Sequence, residues 1–296
     1  MAAPSATPDP CTVALIGLGQ MGRHMADHVA AAGHHLRAFD VSDAALARAS
    51  RAAVRASSPA DAAAGADVVG IVVFDHHQVR VVLEGERGVL ATVEPGAVIA
   101  VHSTVPVDAI LEFARAADAA GARLVDAGIS GGEMGARGGT LVTMVGGDDD
   151  AVRTARPVFE SFSKMVVHAG PLGHGMALKL ARNLVGYILG SATGEGIALA
   201  GAAGVDPRLL ERVLRETTDA NEAQLFGPFR RFDRPEPNGS ADAGEGREQL
   251  AHGLALATKD LDDALALASR FGVELPMAME AKRRYQALGD RHPPPS

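Results

Sequence analysis

The sequence predicts an α/β protein, with a doubly wound sheet of parallel β-α-β units first, then a long interdomain helix and an all-helical C-terminal domain. Three observations carry that expectation. Short apolar strands alternate with helix-spaced segments over residues 11–170, the rhythm of successive β-α-β units. A glycine-rich turn joins the first strand to the first helix at residues 17–22. Beyond His168 only helical periodicity remains.

Residues 1–10 (MAAPSATPDP) have neither a basic n-region nor an apolar h-region, so a disordered lead-in is expected and not a secretory signal. Residues 11–16 (CTVALI) form the first apolar run, which stops at Gly17. Met21, Met25, Val29 and Ala32 then recur at helical offsets, and Gly33 closes that helix. Leu36–Asp40 reads as a second strand, Ala44–Ala53 as a helix, and Asp67–Phe74 (DVVGIVVF) as a buried strand. Another helix starts at Val79. Strands at Ala97–Val101, Arg123–Asp126 and Leu141–Val145 complete the pattern, with a helix over 108–120.

The helical part falls into an interdomain helix within 171–203 and a C-terminal domain over 204–291. Helical spacing is seen over 174–203, 206–219, 248–271 and 275–288, with Asp206 and Pro207 suited to an N-cap and a first turn. The segment 233–249 (DRPEPNGSADAGEGREQ) is rich in Pro, Gly and acid and is expected to be an exposed mobile loop. The tail HPPPS is expected to be disordered.

At 296 residues the chain can bury two cores without disulfides or metal staples. Its 47% apolar and 22% charged residues are ordinary for a soluble globular protein. The single cysteine, Cys11, cannot staple the chain to itself and points to a reducing compartment, the cytoplasm. A formal net charge of −8, with 4% aromatic residues and no Trp, argues against nucleic-acid binding. Leu184–Ala203 is apolar enough to consider as a membrane span, but Glu195 interrupts it and a packed interior helix is the better expectation. His34-His35 and His76-His77 are adjacent pairs whose side chains diverge, and no H-E-x-x-H or cysteine cluster exists. No metal site is expected, and the eleven histidines read as mostly surface residues. A Walker A lysine is absent, which sets kinase chemistry aside.

Gly17-Leu18-Gly19-Gln20-Met21-Gly22 fits G-x-G-x-x-G in the right setting: an apolar strand before it, an amphipathic helix after it. This makes the sheet Rossmann-type. Gly17 allows the tight turn, Gly19 lets backbone approach a pyrophosphate, and Gly22 lets helix pack on strand. The helix N-terminus offers N–H groups to the phosphates. Asp40 lies 23 residues after Gly17, where a carboxylate accepts from the adenosine ribose hydroxyls and repels a 2′-phosphate. Val41 and Ser42 follow, with no arginine, so NAD is favoured over NADP.

From Gly17–Met25 (GLGQMGRHM) onward the sequence resembles the β-hydroxyacid dehydrogenase family, which includes 3-hydroxyisobutyrate dehydrogenase and is related to 6-phosphogluconate dehydrogenase. Three later blocks resemble family motifs in the right order. Asp126–Leu141 (DAGISGGEMGARGGTL) is similar to the substrate-binding DAPVSGG-x-x-GA-x-x-GTL, and Gly173–Asn183 (GHGMALKLARN) to the catalytic G-x-G-x-x-x-K-x-x-N-N. Lys259-Asp260-Leu261 resembles a C-terminal KDL. Gly128 replaces the usual Pro, Arg182 replaces the first Asn of the pair, and 233–249 differs from the family's compact helical sequence.

On a helix Lys179 and Asn183 share a face, one turn apart, and Gly175, Gly186 and Gly190 extend that stripe. Such a face suits a ligand lying on it; it equally suits close helix packing with the lysine reaching to water. The resemblance implies the first, with Lys179 as the general acid/base. A lysine can take the proton of an alcohol when burial or a cationic neighbour brings its pKa toward neutrality. Asn183 would orient the substrate, and Arg182 is either a carboxylate anchor or solvent-facing. Ser130–Gly139 holds five glycines in ten residues; Ser130, Gly131 and Gly132 offer a hydroxyl and open N–H groups to a substrate carboxylate, the alternative being a mobile hairpin.

Ser103 and Thr104, after the strand at 97–101, face the ligand crevice of such a sheet, and the resemblance places them against the nicotinamide ribose and substrate. It also places Phe74 beside the adenosine ribose and Lys259 over cofactor and substrate. The expected activity is NAD-dependent interconversion of a small 3-hydroxy acid and its semialdehyde. The family implies a homodimer or homotetramer. An imine-reducing relative, which typically lacks a lysine at the position of Lys179, and a non-catalytic NAD-binding module are the alternatives.

Overall fold

A computed structural model of the chain describes residues 10–48, 53–217 and 243–291. The expected lead-in (all but Pro10), residues 233–242 of the expected loop and the tail 292–296 lie outside the described residues. Contacts divide the chain into two compact units, Met1–Lys179 and Leu180–Ser296.

The first unit is built on one eight-stranded sheet in the order β3-β2-β1-β4-β5-β6-β7-β8. Its strands are β1 (Thr12–Ile16), β2 (His35–Phe39), β3 (Val54–Arg55), β4 (Val68–Ile71), β5 (Val98–Val101), β6 (Arg123–Ser130), β7 (Leu141–Gly146) and β8 (Ser163–Gly170). Helices α1 (Gly22–Ala31), α2 (Asp43–Arg48), α3 (Pro59–Ala63), α4 (His76–Glu84), α5 (Val107–Ala119), α6 (Gly132–Arg137) and α7 (Asp149–Phe162) connect them. Every residue of β4 and β5 is buried, which is why the central strands read as unbroken apolar runs rather than alternating ones.

The chain winds from β1 through β2 to β3, then returns to the other side of β1 with β4. Ligand crevices form where winding reverses, at the C-terminal ends of the strands, here β1 and β4. The turns after β1, β4, β5 and β6 open on that edge because these strands run parallel.

The expectation of parallel units fails at one place. β6 and β7 pair antiparallel, Asp126 against Gly146 through Ser130 against Val142. Only residues 131–140 join them, too few for a crossover. Several elements go unnamed by the sequence spacing, among them β3, α3, β8 and α7. β3 has two residues, and α3 is a single turn capped by Ser58 Oγ accepting from Asp61 N–H. β8 follows α7 directly, and α7 hides its signal behind Pro157 and a run of acids. Those acids start the helix: Asp148 accepts from the N–H groups of Asp150 and Ala151, and Ala151, Val152, Ala155, Val158, Phe159 and Phe162 form one buried face.

α8 (His174–Ala202) begins in the first unit and continues into the second, which adds α9 (Pro207–Thr217), α10 (Ala243–Arg270) and α11 (Pro276–Arg291). Residues 243–249, expected in the mobile loop, are instead the first turns of α10; acid and glycine content masked a stretch that also carries Ala, Arg, Glu and Gln, good helix formers. The second core joins Leu254, Ala257, Leu261, Ala278, Ala281 and Tyr285, with Leu184, Tyr187 and Ile188 of α8 packed on it. No helix among the described residues is long and apolar enough to cross a membrane.

Candidate active site

At the end of β1 the three glycines divide their work. Gly17 has φ +94°, and a Cβ there would stand 2.2 Å from the Val72 carbonyl oxygen. A Cβ at Gly22 would stand 1.9 Å from the Gly17 oxygen, so α1 can start only with a glycine. At Gly19 a Cβ would meet nothing within 4 Å. That open side is the cradle into which a pyrophosphate fits, and no side chain caps α1 to compete for its N–H groups. Leu18 is fully buried and takes part through its backbone; Met21 packs against the core and Gln20 is exposed.

Asp40, at the tip of β2, accepts from Leu18 N–H at 2.7 Å and from Ser42 N–H at 2.8 Å. The carboxylate thereby braces the glycine loop. Each oxygen keeps a lone pair for a ribose hydroxyl, and Val41 beside it is 92% exposed, leaving no cation for a 2′-phosphate. The residues fit NAD.

Ser103 also has a structural task. It is buried, and its Oγ accepts from Val73 N–H at 2.9 Å, tying the turn after β5 to the end of β4. Thr104 and Phe74 are half-buried nearby in sequence, and Phe74 N–H donates to Gln78 Oε1 at 3.0 Å. His102 is a core residue, an exception to the expectation of mostly surface histidines. Burial between Phe159 and Phe162 pushes its pKa down to about 4, and its neutral ring donates from Nδ1 to the Ala127 carbonyl at 2.8 Å. His34 is likewise buried.

β6 carries the second half of the site. Val125, Ala127 and Ile129 face the main core, so the alternate residues Asp126, Gly128 and Ser130 share the other face. Asp126 is fully buried and accepts from Gly173 N–H at 2.7 Å and from Met176 N–H, the first turn of α8. Desolvation raises its carboxyl to about pKa 6 despite those bonds. Gly175 lets α8 abut the sheet: a Cβ there would lie 2.5 Å from Gly146 N and 2.6 Å from the Met144 oxygen. One turn on, Lys179 is buried, its stem across Gly128.

Ser130 is buried at the end of β6, and the Gly-rich stretch after it is no mobile hairpin but the short helix α6. Gly131 (φ +134°) and Gly132 (φ +61°) make the turn, and a Cβ at Gly132 would meet nothing within 4 Å. α6 is tied to α1 by Glu133, which pairs with Arg23 at 2.5 Å.

In the helical unit the structure brings Asn183 and Lys259 to one residue, Asp260. Asn183 Nδ2 donates to Asp260 Oδ2 at 2.7 Å, Tyr187 donates to the same oxygen at 3.0 Å, and Lys259 Nζ lies 2.8 Å from Oδ1. Burial and this carboxylate push the Tyr187 hydroxyl pKa well up, so it remains a donor. Arg182 is half-buried rather than solvent-facing, its Nη1 3.4 Å from Asn183 Oδ1. Sequence reasoning assigned no role to Asp126, Asp260 or Tyr187. The signal available for Asp126 was a lone carboxylate inside an apolar strand (RLVDAGIS); Asp260 stands among Asp262 and Asp263 in its helix (LATKDLDDALAL) and had no comparable signal. Among the described residues no group of three or more His, Cys, Asp or Glu could hold a metal.

A Rossmann-type sheet with an open glycine cradle and a braced acid defines a dinucleotide-binding protein of the oxidoreductase class. Residues 12–170 match the NAD binding domain of 6-phosphogluconate dehydrogenase. The chain is 33% identical to the NAD-dependent L-serine dehydrogenase of Pseudomonas aeruginosa, over 93% of this chain and 91% of that one. It is also 33% identical to the 3-hydroxyisobutyrate dehydrogenase of the same organism, over 92% and 90%. A solved Mycobacterium tuberculosis 3-hydroxyisobutyrate dehydrogenase with L-serine superposes with a TM-score of 0.77 at 30% identity, covering 96% of each chain. The chain belongs to the 3-hydroxyisobutyrate dehydrogenase-like family of NAD-binding oxidoreductases, relatives of 6-phosphogluconate dehydrogenase.

Proposed function

We propose that the chain, a hydroxyacid dehydrogenase by family, interconverts a small 3-hydroxy acid and its semialdehyde, with Lys179 as the acid/base. One observation carries this reading: the buried stem of Lys179 crosses the face of β6 that ends at Ser130. The two named relatives act, by their names, on serine and 3-hydroxyisobutyrate, each a carboxylate with a hydroxyl on the third carbon. Ser130, with the N–H groups of Gly131 and Gly132, holds the carboxylate. Lys179 removes the hydroxyl proton in oxidation and returns it in reduction. Bound NAD supplies the hydride acceptor. Asp40 and the Gly17–Gly22 loop hold its adenosine and pyrophosphate, and Phe74, Ser103 and Thr104 line its crevice. Asn183 and Lys259, held by Asp260, serve substrate and cofactor respectively. The chain works as a homodimer or homotetramer in the cytoplasm.

The test is cofactor reduction by purified protein with NAD and 3-hydroxyisobutyrate, 3-hydroxypropionate, glycerate, serine or 4-hydroxybutyrate. At least one is expected to react, and Lys179→Ala to lower kcat by about 10²–10⁴-fold with NAD binding intact. No turnover in either direction, or full activity in Lys179→Ala, would sink the proposal.

A further inference from the structure

We propose that Asp126 and Gly128 are positioning residues for Lys179: the face of β6 is a seat that fixes both the height of α8 and the path of the lysine stem. This rests on the reading of Lys179 as the acid/base. The two contacts are independent. Asp126 grips the backbone of α8 at Gly173 and Met176, inside the turn before the lysine. Two residues along the same strand face, a Cβ on Gly128 would stand 2.8 Å from Lys179 Cβ, 2.9 Å from Cγ and 3.6 Å from Cδ, and these are its three nearest neighbours.

Gly128 therefore leaves a channel shaped by absence of a side chain, and the lysine stem lies in it. Its backbone does not need glycine: its φ is outside the left-handed region, and it pairs regularly with Met144. The glycine serves the lysine rather than the strand. With this chain's backbone where it stands, a Cβ at 128 pushes the stem aside, away from the face on which Ser130 stands about 7 Å further along. Gly128 stands where the family stretch has Pro, so this chain's own departure from the pattern falls at the residue in contact with its acid/base.

Displacing a reacting group by an ångström costs about a hundredfold in rate. Gly128→Ala, Lys179→Gly, the double variant and Asp126→Asn are compared with wild type as full chains, by thermal melting and by turnover of the 3-hydroxy acid that reacts. Gly128→Ala is expected to lower kcat about tenfold or more, with the KM for NAD unchanged within about twofold. Its loss of Tm is expected to vanish in the Lys179→Gly background, where the channel is empty. Asp126→Asn, which removes one of two acceptors, is expected to lower kcat with the KM for NAD likewise unchanged.

Wild-type kcat in either Gly128→Ala or Asp126→Asn overturns the assignment of that residue. An equal Tm loss in both backgrounds overturns the channel. If Gly128→Ala fails to fold alone, a double variant that melts with Lys179→Gly supports the channel, and one that also fails overturns it. The melting cycle needs no substrate. Full turnover in Lys179→Gly is a separate failure, that of the acid/base reading itself.

Discussion

The glycines after β1 and those around the start of α8 follow similar spacings, G-x-G in both, and face different things. In the cofactor loop Gly17 and Gly22 are hemmed in by backbone while Gly19 opens on empty space. At the lysine seat nothing opens: Gly175 abuts Gly146 N and the oxygens of Met144 and Asp126, and Gly146 in turn abuts Asp126 Oδ1 and Gly175 N. The first turn leaves an open side and the second brings a helix close to a sheet. A glycine spacing read from sequence therefore identifies a close approach but not what approaches.

The largest way to break that contrast is a methyl group at Gly175. Three backbone atoms within 2.8 Å of the new carbon cannot move separately, so Gly175→Ala is expected to lower Tm by about 10 °C or to yield insoluble protein. A variant that melts like wild type would show that α8 is not pressed on the sheet. The same substitution at Gly19 is expected to leave Tm within about 1 °C and to weaken NAD about tenfold to a hundredfold, read by calorimetric titration. Unchanged affinity would mean that the cofactor does not cross this glycine.

A smaller effect separates the acid of the cradle from its neighbours. Asp40→Ala with Val41→Arg removes the ribose acceptor and adds a cation at the 92%-exposed position beside it. The kcat/KM ratio of NADP to NAD is expected to rise about tenfold or more. Because Asp40 also braces Leu18 N–H, Val41→Arg alone should move the ratio less and leave Tm untouched. Unchanged selectivity in the double variant would overturn the ribose assignment.

The same contrast explains what could be read from the chain and what could not. The geometry of the glycine turn was legible because its parts are local: strand, glycines and acid all fall within residues 12–40. The seat depends on pairing at long range. Asp126 meets Gly173, 47 positions away, and Asn183 meets Asp260, 77 away; nothing in either segment alone indicates the partner. The motifs located Lys179 and Ser130, but only the fold lays the Lys179 stem across the strand face on which Ser130 stands. Ser103 has a partner that its segment does not reveal: its hydroxyl accepts a backbone N–H from Val73, 30 positions away. α7 escaped notice because Pro157 masks a helix whose apolar face is otherwise continuous, and residues 243–249 because composition was weighed above helix propensity.

The seat also holds a titrating group. Asp126 has its carboxyl raised from 3.8 to about 6, because burial disfavours the carboxylate more than two N–H bonds favour it. A raised folded-state pKa means that the native protein binds this proton more tightly than the unfolded chain. The resulting stabilisation is complete below about pH 4 and is lost as the pH rises through 6. Exposed acids such as Asp61, Asp206 and Glu280, whose pKa values are lowered by their hydrogen bonds, act the opposite way, losing stability as the pH falls. The wild-type melting profile is therefore a sum in which Asp126 is hidden, and a difference is needed to expose it. Asp126→Asn does not titrate, so the wild type's stability advantage over it is expected to be larger at pH 4.5 than at pH 7.5, by on the order of 1–2 kcal/mol or a few degrees in Tm. Gly19→Ala should track the wild type at both pH values. An advantage that stays constant, or that grows with pH, would mean that the two α8 N–H groups outweigh the burial of the carboxylate and that the seat binds Asp126 in its charged form at every pH tested.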